Sequence, residues 1–488
     1  MSKTTVLVKN TIIIALGKIS TQFLNFLLLP LYTAYLAAAE FGVVDLVTVV
    51  VSLVAPVVML SLEMAVFRFL IDGRGHHKQQ ARVITNALQL MGSSMLLTSV
   101  LFVLVMQWVA VPYGWLALGA VAAAVASNFC LQVARGFGNN TQYAIGSMVA
   151  GATIVVLNIV FIAVLKMGAT GMLLATVIGN GVSALYLITT LKIPQYIDLS
   201  LCDGDTRKEL LHYALPLIPN NISWWVVNAA DRMIIAALLG VTANGIYAVA
   251  YKFPQVFTAV YNFFGLSWAE SASIHIRSKD RDVFFSKVTN MSVRVFGSFG
   301  VMLIVGVSVF FNILIGVRYS EARLYIPLLL IGSFFSAIVG VYSAIYIAKK
   351  RTKQVLYTSL VAAGISIGLS VVLIPVIGLY GPAVAMIAAY LGMAIFRHLD
   401  IKKSINITYD RTAVGSVALL YALAIGLYYI NSPYATIANV VISGAGVIAI
   451  NRHTLRTLQQ TLFRKMKGLK QKQADKLAQA WEVDRGAE

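Results

Sequence analysis

Asp231 and Arg232 stand side by side in WWVVNAADRMIIAALLG (224–240), a stretch that is otherwise apolar to left and right. Each such charge costs roughly 2.5–3.5 kcal/mol at the centre of a membrane-spanning helix. A neighbouring Leu, Ile or Val returns only about 0.3–0.6 kcal/mol. Charges kept at that cost point to chemistry. A guanidinium offers a planar fork that grips an anion in two places, and a carboxylate in a dry setting is a seat for a proton or a small cation. Lys252 lies in the next apolar stretch, Lys18 in the first, and Asp45 and Glu63 in the second. Asn221, Asn228 and Arg232 are spaced seven and four apart, so they share one helical face. Gln22 and Asn25 follow Lys18. Arg232, Lys252 and Lys18, with Asn228, Asn221, Gln22 and Asn25, are therefore candidates for holding an anionic substrate in a water-filled cavity. Asp231, Glu63 and Asp45 are candidates for ion coupling. The competing reading is mutual neutralisation, Lys18 by Glu63 and Lys252 by Asp231, pinning adjacent helices together.

The elements that must position these groups are membrane helices. The 488 residues are 59% hydrophobic and 12% charged, about half the charge of an ordinary soluble chain, and mean hydropathy is +0.81. Long apolar runs recur from end to end, which excludes a soluble domain on a single anchor. They segment into about fourteen spans, near 11–36, 42–69, 84–110, 114–134, 145–165, 170–191, 211–239, 243–269, 289–315, 324–348, 354–376, 379–396, 413–430 and 434–451. Thirty of the 38 Lys and Arg fall on one side, in alternate connections (397–411 among them) and in the tail from Arg452. Only Lys166, Arg318 and Arg323 fall on the other. By the positive-inside rule the basic side is cytoplasmic, with both termini. The net charge of +19 is thus spent on topology and implies no nucleic acid. Five cations remain inside spans: Lys18, Arg68, Arg232, Lys252 and Arg294. Arg68 and Arg294 lie near inner ends, as does Glu270, where long side chains snorkel.

The first run is about 26 residues, longer than the 7–15 of a signal peptide, and Lys18 interrupts it, so it reads as span one. Cys130 and Cys202, in an apolar run and a polar loop, imply no disulfide framework. Six scattered histidines show no metal-type spacing, and neither a metal nor a cofactor is expected. In the tail, Leu455, Leu458, Leu462, Met466 and Leu469 recur at helical spacing among Lys and Arg, a basic amphipathic helix suited to the anionic inner leaflet.

Short motifs repeat in order at a spacing of roughly 205–213 residues, among them MGATGMLLATVIG (167–179) with IGLYGPAVAMIAA (377–389), which share Gly168/Gly171 and Gly378/Gly381. The expectation is an all-α polytopic membrane protein of two parallel six-helix repeats plus two extra helices. Its parts are a lobe over 1–195, a second over 208–398, two further spans over 411–452 and a cytoplasmic tail over 453–488. At 1.5 Å per residue, Arg232 lies about 10 Å and Lys252 about 13 Å below the outer ends of their spans, so Asp231, Arg232 and Lys252 can share a level. Asp45 is expected nearer the outer end of span two.

LGKISTQFLNFLLLPLYTAYLAAAEFGVVDLV (16–47), LEMAVFRF (62–69), NAADRMIIAALLG (228–240) and GIYAVAYKFP (245–254) resemble the polysaccharide transporter family. These are the O-antigen and capsule repeat-unit flippases of the multidrug/oligosaccharidyl-lipid/polysaccharide exporter superfamily. The resemblance covers nearly the whole chain. It implies a bacterial inner-membrane flippase for an undecaprenyl-pyrophosphate-linked oligosaccharide, two six-helix lobes around a cationic cavity, and Lys18, Arg232 and Lys252 facing that cavity. Such a protein acts by alternating access, works beside other glycan-assembly membrane proteins, touches membrane lipids and draws on H+ or Na+. Members often carry a basic residue where this chain has Ala34, and Pro where it has AAAE. Trp224, Trp225 and Trp268 suit either a sugar-stacking wall or ordinary packing. A cation-coupled multidrug exporter of the same superfamily is the alternative, although intramembrane cations would repel cationic drugs. A polymerase or ligase of glycan assembly is the less favoured reading. The outer connections are a few residues each, and no Ser/His/Asp set, phosphate loop or carboxylate pair stands out, so no enzyme is expected.

Overall fold

The computed structural model describes residues 26–452 and Arg456. It is built of helices: α1 (Leu29–Tyr35), α2 (Ala38–Val58), α3 (Leu62–Asp72), α4 (His77–Trp108), α5 (Gly114–Gly136), α6 (Asn140–Asn158), α7 (Gly168–Thr190), α8 (Gly204–Ala214), α9 (Ile218–Leu239), α10 (Val241–His275), α11 (Arg281–Leu314), α12 (Ile326–Ala348), α13 (Thr352–Ile377), α14 (Tyr380–Lys402), α15 (Arg411–Ile430) and α16 (Pro433–Arg452). Eleven helical segments among the described residues are long and apolar enough to cross a membrane. α9 and α10, with 22 and 35 residues, fall on the seventh and eighth expected spans. Lys18, Gln22, Asn25 and the amphipathic tail lie outside the described residues.

Two compact units result, one of residues 26–281 and 310–406, the other of 282–309 and 407–452. In the second unit, polar groups tie α11 to the strap before α15. Asn290 Nδ2 donates to the Thr408 carbonyl at 2.9 Å, the Asp410 amide to Asn290 Oδ1 at 2.9 Å, and Arg294 pairs with the Asp410 carboxylate. Asp410 also caps α15 through the Thr412 and Ala413 amides.

In the first unit α5, α6 and α7 pack together, and α12, α13 and α14 repeat that arrangement, each helix starting the same number of residues later. The paired glycines of the sequence motif occupy equivalent turns: Gly168 and Gly378 have φ of +57° and +58°, a region that glycine enters without strain. Side chains at Gly171 and Gly381 would strike the preceding helical segment, at Phe161 and at the Ile374 amide.

The second expected span, 42–69, is not continuous. α2 stops at Val58, Leu60 and Ser61 turn left-handed at φ +52° and +53°, and α3 begins at Leu62. The Ser61 amide bonds back to the Pro56 carbonyl and the Leu60 amide to the Val57 carbonyl, each at 2.9 Å. This is the double bond pattern that closes many helix C-termini, made here without glycine, in the turn after Pro56.

Candidate functional site

α2, α9 and α10 bring the buried charges together. α2 starts at Ala38, four residues before the expected span, so Asp45 lies about 10 Å along it and reaches the level of Arg232. Asp45 Oδ2 is 3.5 Å from Arg232 Nε, with the side chains only 11% and 7% exposed. That distance makes an ion pair but no hydrogen bond, and Arg232 Nε is a buried donor without an acceptor. The guanidinium also lies over the Tyr251 ring, 4.2 Å from its centroid, within the range of a cation–π contact.

Asp231 turns away from this pair. Its Oδ2 accepts from the Tyr247 hydroxyl at 2.9 Å and its Oδ1 from the Arg232 amide at 2.9 Å. Asn244, fully buried, donates from Nδ2 to the Gly42 carbonyl at 3.0 Å and to Asp45 Oδ2 at 3.3 Å. Its Oδ1 is left without a donor. Lys252 is half-buried, its Nζ 6.0 Å from the Phe41 ring centroid, with no hydrogen-bonding or ion-pair partner among the described residues. The structure therefore joins Arg232 to Asp45 and gives Asp231 to a tyrosine, rather than pairing Asp231 with Lys252. The level holds two carboxylates and two cations. Its charges balance, but its contacts do not.

Asn221 stands apart from this cluster: its Nδ2 donates to Ser61 Oγ at 3.1 Å, bracing the break between α2 and α3 from α9. A cavity of about 10 Å³, at the threshold for one water, lies there between Pro56, Ser61, Asn221 and Trp225. Glu63 is in the first turn of α3, where the helix dipole favours a carboxylate. Its Oε2 is buried with no partner among the described residues. The side chains of Asn228 and Trp224 lie outside the description. Trp225 donates to the Val49 carbonyl at 2.9 Å and Trp268, buried, to the Val341 carbonyl at 3.0 Å, which fixes both in helix packing. No three of His, Cys, Asp and Glu gather into a metal-type cluster among the described residues.

α2 and α10 approach closely on the N-terminal side of Asp45. Side chains at Gly42 and Gly245 would run into the Val241 and Ala38 carbonyls, so α2 and α10 meet backbone to backbone. Beside them the Gly316 amide donates to Thr33 Oγ1 at 3.1 Å, and the Tyr319 hydroxyl to the Leu36 carbonyl at 3.2 Å.

Three positions in contact with these charges escaped the sequence reading: Asn244, Tyr247 and Tyr251. Their spacing of three and four puts them on one face of α10, a signal present in NGIYAVAY but unremarkable among apolar neighbours. Arg397 escaped as well. It was counted with the basic loops, whereas it lies inside α14 and is 1% exposed. Its nitrogens donate to the Thr358 hydroxyl at 3.0 and 2.7 Å, to the Val339 and Val355 carbonyls at 3.2 and 3.3 Å, to Ser359 Oγ at 3.3 Å, and to Ser343 Oγ.

The model of the polysaccharide biosynthesis proteins matches residues 7–269, more than half of the chain. A comparison with curated proteins returns no match. Among solved structures, the fold is similar to the lipid II flippase MurJ in an inward closed conformation, with TM-score 0.65 and 14% identity over 92% of this chain and 99% of that one. It is also similar to an inward-facing multidrug resistance MATE family transporter of the MOP superfamily, with TM-score 0.64 and 15% identity over 80% of this chain and 98% of that one.

Proposed function

The chain belongs to the polysaccharide biosynthesis protein family, and from that premise we propose that it flips an undecaprenyl-pyrophosphate-linked oligosaccharide repeat unit across the bacterial inner membrane by alternating access. One observation carries the reading: a buried arginine held at 3.5 Å with an empty Nε, beside a lysine with no anion among the described residues. A pyrophosphate supplies what both lack. Its oxygens complete the Arg232 fork and neutralise Lys252, and Asp45 is the group they displace. The released carboxylate then takes a proton or a sodium ion, which couples the cycle to an ion gradient. Asp231 stays with Tyr247 and limits the net charge of the emptied site. Glu63, beside the break in span two, is the second candidate for that ion.

In this scheme the 1–195 and 208–398 lobes rock about the site, and the contact of α2 with α10 is the periplasmic seal. Both termini are cytoplasmic by the Lys and Arg bias. A ligand drives alternation only through different affinities for the two states; here the difference is whether Asp45 or phosphate holds Arg232. No bond is made or broken, so the protein acts as a transporter beside the enzymes of glycan assembly. A cation-coupled multidrug exporter keeps the same fold, with neighbours of nearly equal TM-score, but two cations at the site work against a cationic drug.

The test is flipping of a pyrophosphate-linked lipid in reconstituted vesicles. Arg232→Ala and Lys252→Ala should each reduce it by at least about 100-fold, the scale of a lost charged contact, at normal protein abundance. Arg232→Lys should lose most transport despite its charge. Wild-type flipping by a well-expressed Arg232→Ala, Lys252→Ala double variant would overturn the reading.

A further inference from the structure

Lys349, in the turn between α12 and α13, and Arg281, at the start of α11, meet at Ser404, two residues beyond α14, and Arg351 of the same turn lies close enough for its charge to act on Lys349. The Lys349 ammonium donates to the Ser404 hydroxyl, and Arg281 Nη2 to the Ser404 carbonyl at 3.1 Å. Burial, then the charges of Arg351 and Arg281, push the Lys349 ammonium below the ordinary lysine range. Asp400 opposes this, but it already accepts from the Tyr346 hydroxyl at 2.8 Å and lies 3.8 Å from Lys403 Nζ. Basic residues at span ends follow from topology alone. Two of them bonded to one residue, with a third cation close by, form a tighter cluster than topology requires.

A groove of about 430 Å³ lies between α13 and α14, its polar end at Asp400, whose charge acts on Lys349, within the size range of small-molecule sites. Gln354, Thr358 and Asp400 line its polar end, and Tyr357, Val361 and Phe396 line its apolar length. These three are 64%, 62% and 57% exposed. On membrane-spanning helices such faces meet hydrocarbon. At Gly392, in the groove wall, an added side chain would meet nothing within 4 Å.

We propose that groove and rim form a site for one anionic membrane phospholipid, with its phosphate among Lys349, Arg351 and Arg281 and one acyl chain between α13 and α14. A basic rim at the polar end of an apolar groove matches a molecule that carries a phosphate at the end of a chain. Its exposed lining residues are apolar and neither Arg232 nor Lys252 lines it, so the occupant is drawn from the surrounding membrane.

Native mass spectrometry of the full chain, titrated with phosphatidylglycerol and with phosphatidylcholine, reads the site directly. Phosphatidylglycerol should be retained preferentially, and Lys349→Ala with Arg351→Ala should cut its retention roughly 30-fold, the combined worth of two basic residues near a membrane surface. Gly392→Phe should lower retention of both lipids by filling the groove. If the double variant is not recovered folded, Arg351→Gln alone should give about a fivefold loss. Equal retention of the two lipids by the unsubstituted protein, or undiminished phosphatidylglycerol in the substituted ones, would overturn the proposal. So would displacement of the lipid by millimolar inorganic phosphate, which would make this a site for free phosphate. None of these readouts needs transport, so the proposed flippase activity and this site fail separately.

Discussion

Arg232 and Arg397 are both buried arginines in membrane helices, 6% and 1% exposed, and they are satisfied in opposite ways. Arg397 gives its three nitrogens to hydroxyls and carbonyls of α12 and α13, none of them charged. Arg232 has a carboxylate for company but leaves Nε without an acceptor. A guanidinium that has spent every donor is a bolt. One with a donor in hand can change partners. The difference separates an arginine that holds helices from one that can hold a substrate, and burial alone does not reveal it.

The largest effect expected from this contrast falls on folding. Arg397→Leu removes a donor from five acceptors on α12 and α13 at once, which should cost more than about 3 kcal/mol and remove the protein from the membrane. Arg397→Lys should not restore it, because an ammonium lacks the fork. Abundance and thermal melting in detergent check both. Normal folding of Arg397→Leu would erase the distinction.

A smaller effect is expected at the ion pair. Arg232→Ala leaves the Asp45 carboxylate buried without its ion-pair partner, held only by the Asn244 amide, so adding Asp45→Asn should recover stability while transport stays absent. The coupling energy between the two positions should be about 0.5–3 kcal/mol, read from melting of the two single variants and the double. Additive losses would mean that the pair exchanges nothing.

The smallest effect belongs to a third arginine in a wetter place. Arg294 pairs with Asp410, at 30% and 33% exposure. The Ala413 amide, then Arg294, hold the Asp410 carboxyl below the usual carboxylate range. A depressed pKa contributes stability above the unfolded value near 3.9, and that contribution is lost as pH falls through the folded one. The melting temperature should therefore fall slightly on acidification from pH 5 to below pH 4. Asp410→Asn should flatten that drop.

Much of this was legible in the chain. The spans, their cations and the repeat follow from hydrophobic run length, the cost of intramembrane charge, and motif order. Gly168 and Gly378, paired by their motif, share one turn conformation. Partnership was not legible. Asp45 and Arg232 are far apart in sequence, and the depth of Asp45 depended on where α2 begins, a matter of four residues. The break after Val58 was hidden because Met59, Leu60 and Ser61 look like any stretch of a span, with only Pro56 as a hint. Arg397 was misread because a net basic count cannot tell a loop cation from one drawn into the end of a helix.

The meeting of Gly42 with Gly245 has a consequence in entropy. A seam of interdigitating side chains must freeze rotamers each time it closes, at up to about 1.5–2 kcal/mol for a long side chain and nothing for glycine. Here the surfaces in contact are backbone already fixed within α2 and α10. Closing this seam orders nothing that was disordered. It also leaves little to adjust by mutation, because every residue other than glycine carries the Cβ that the gap excludes.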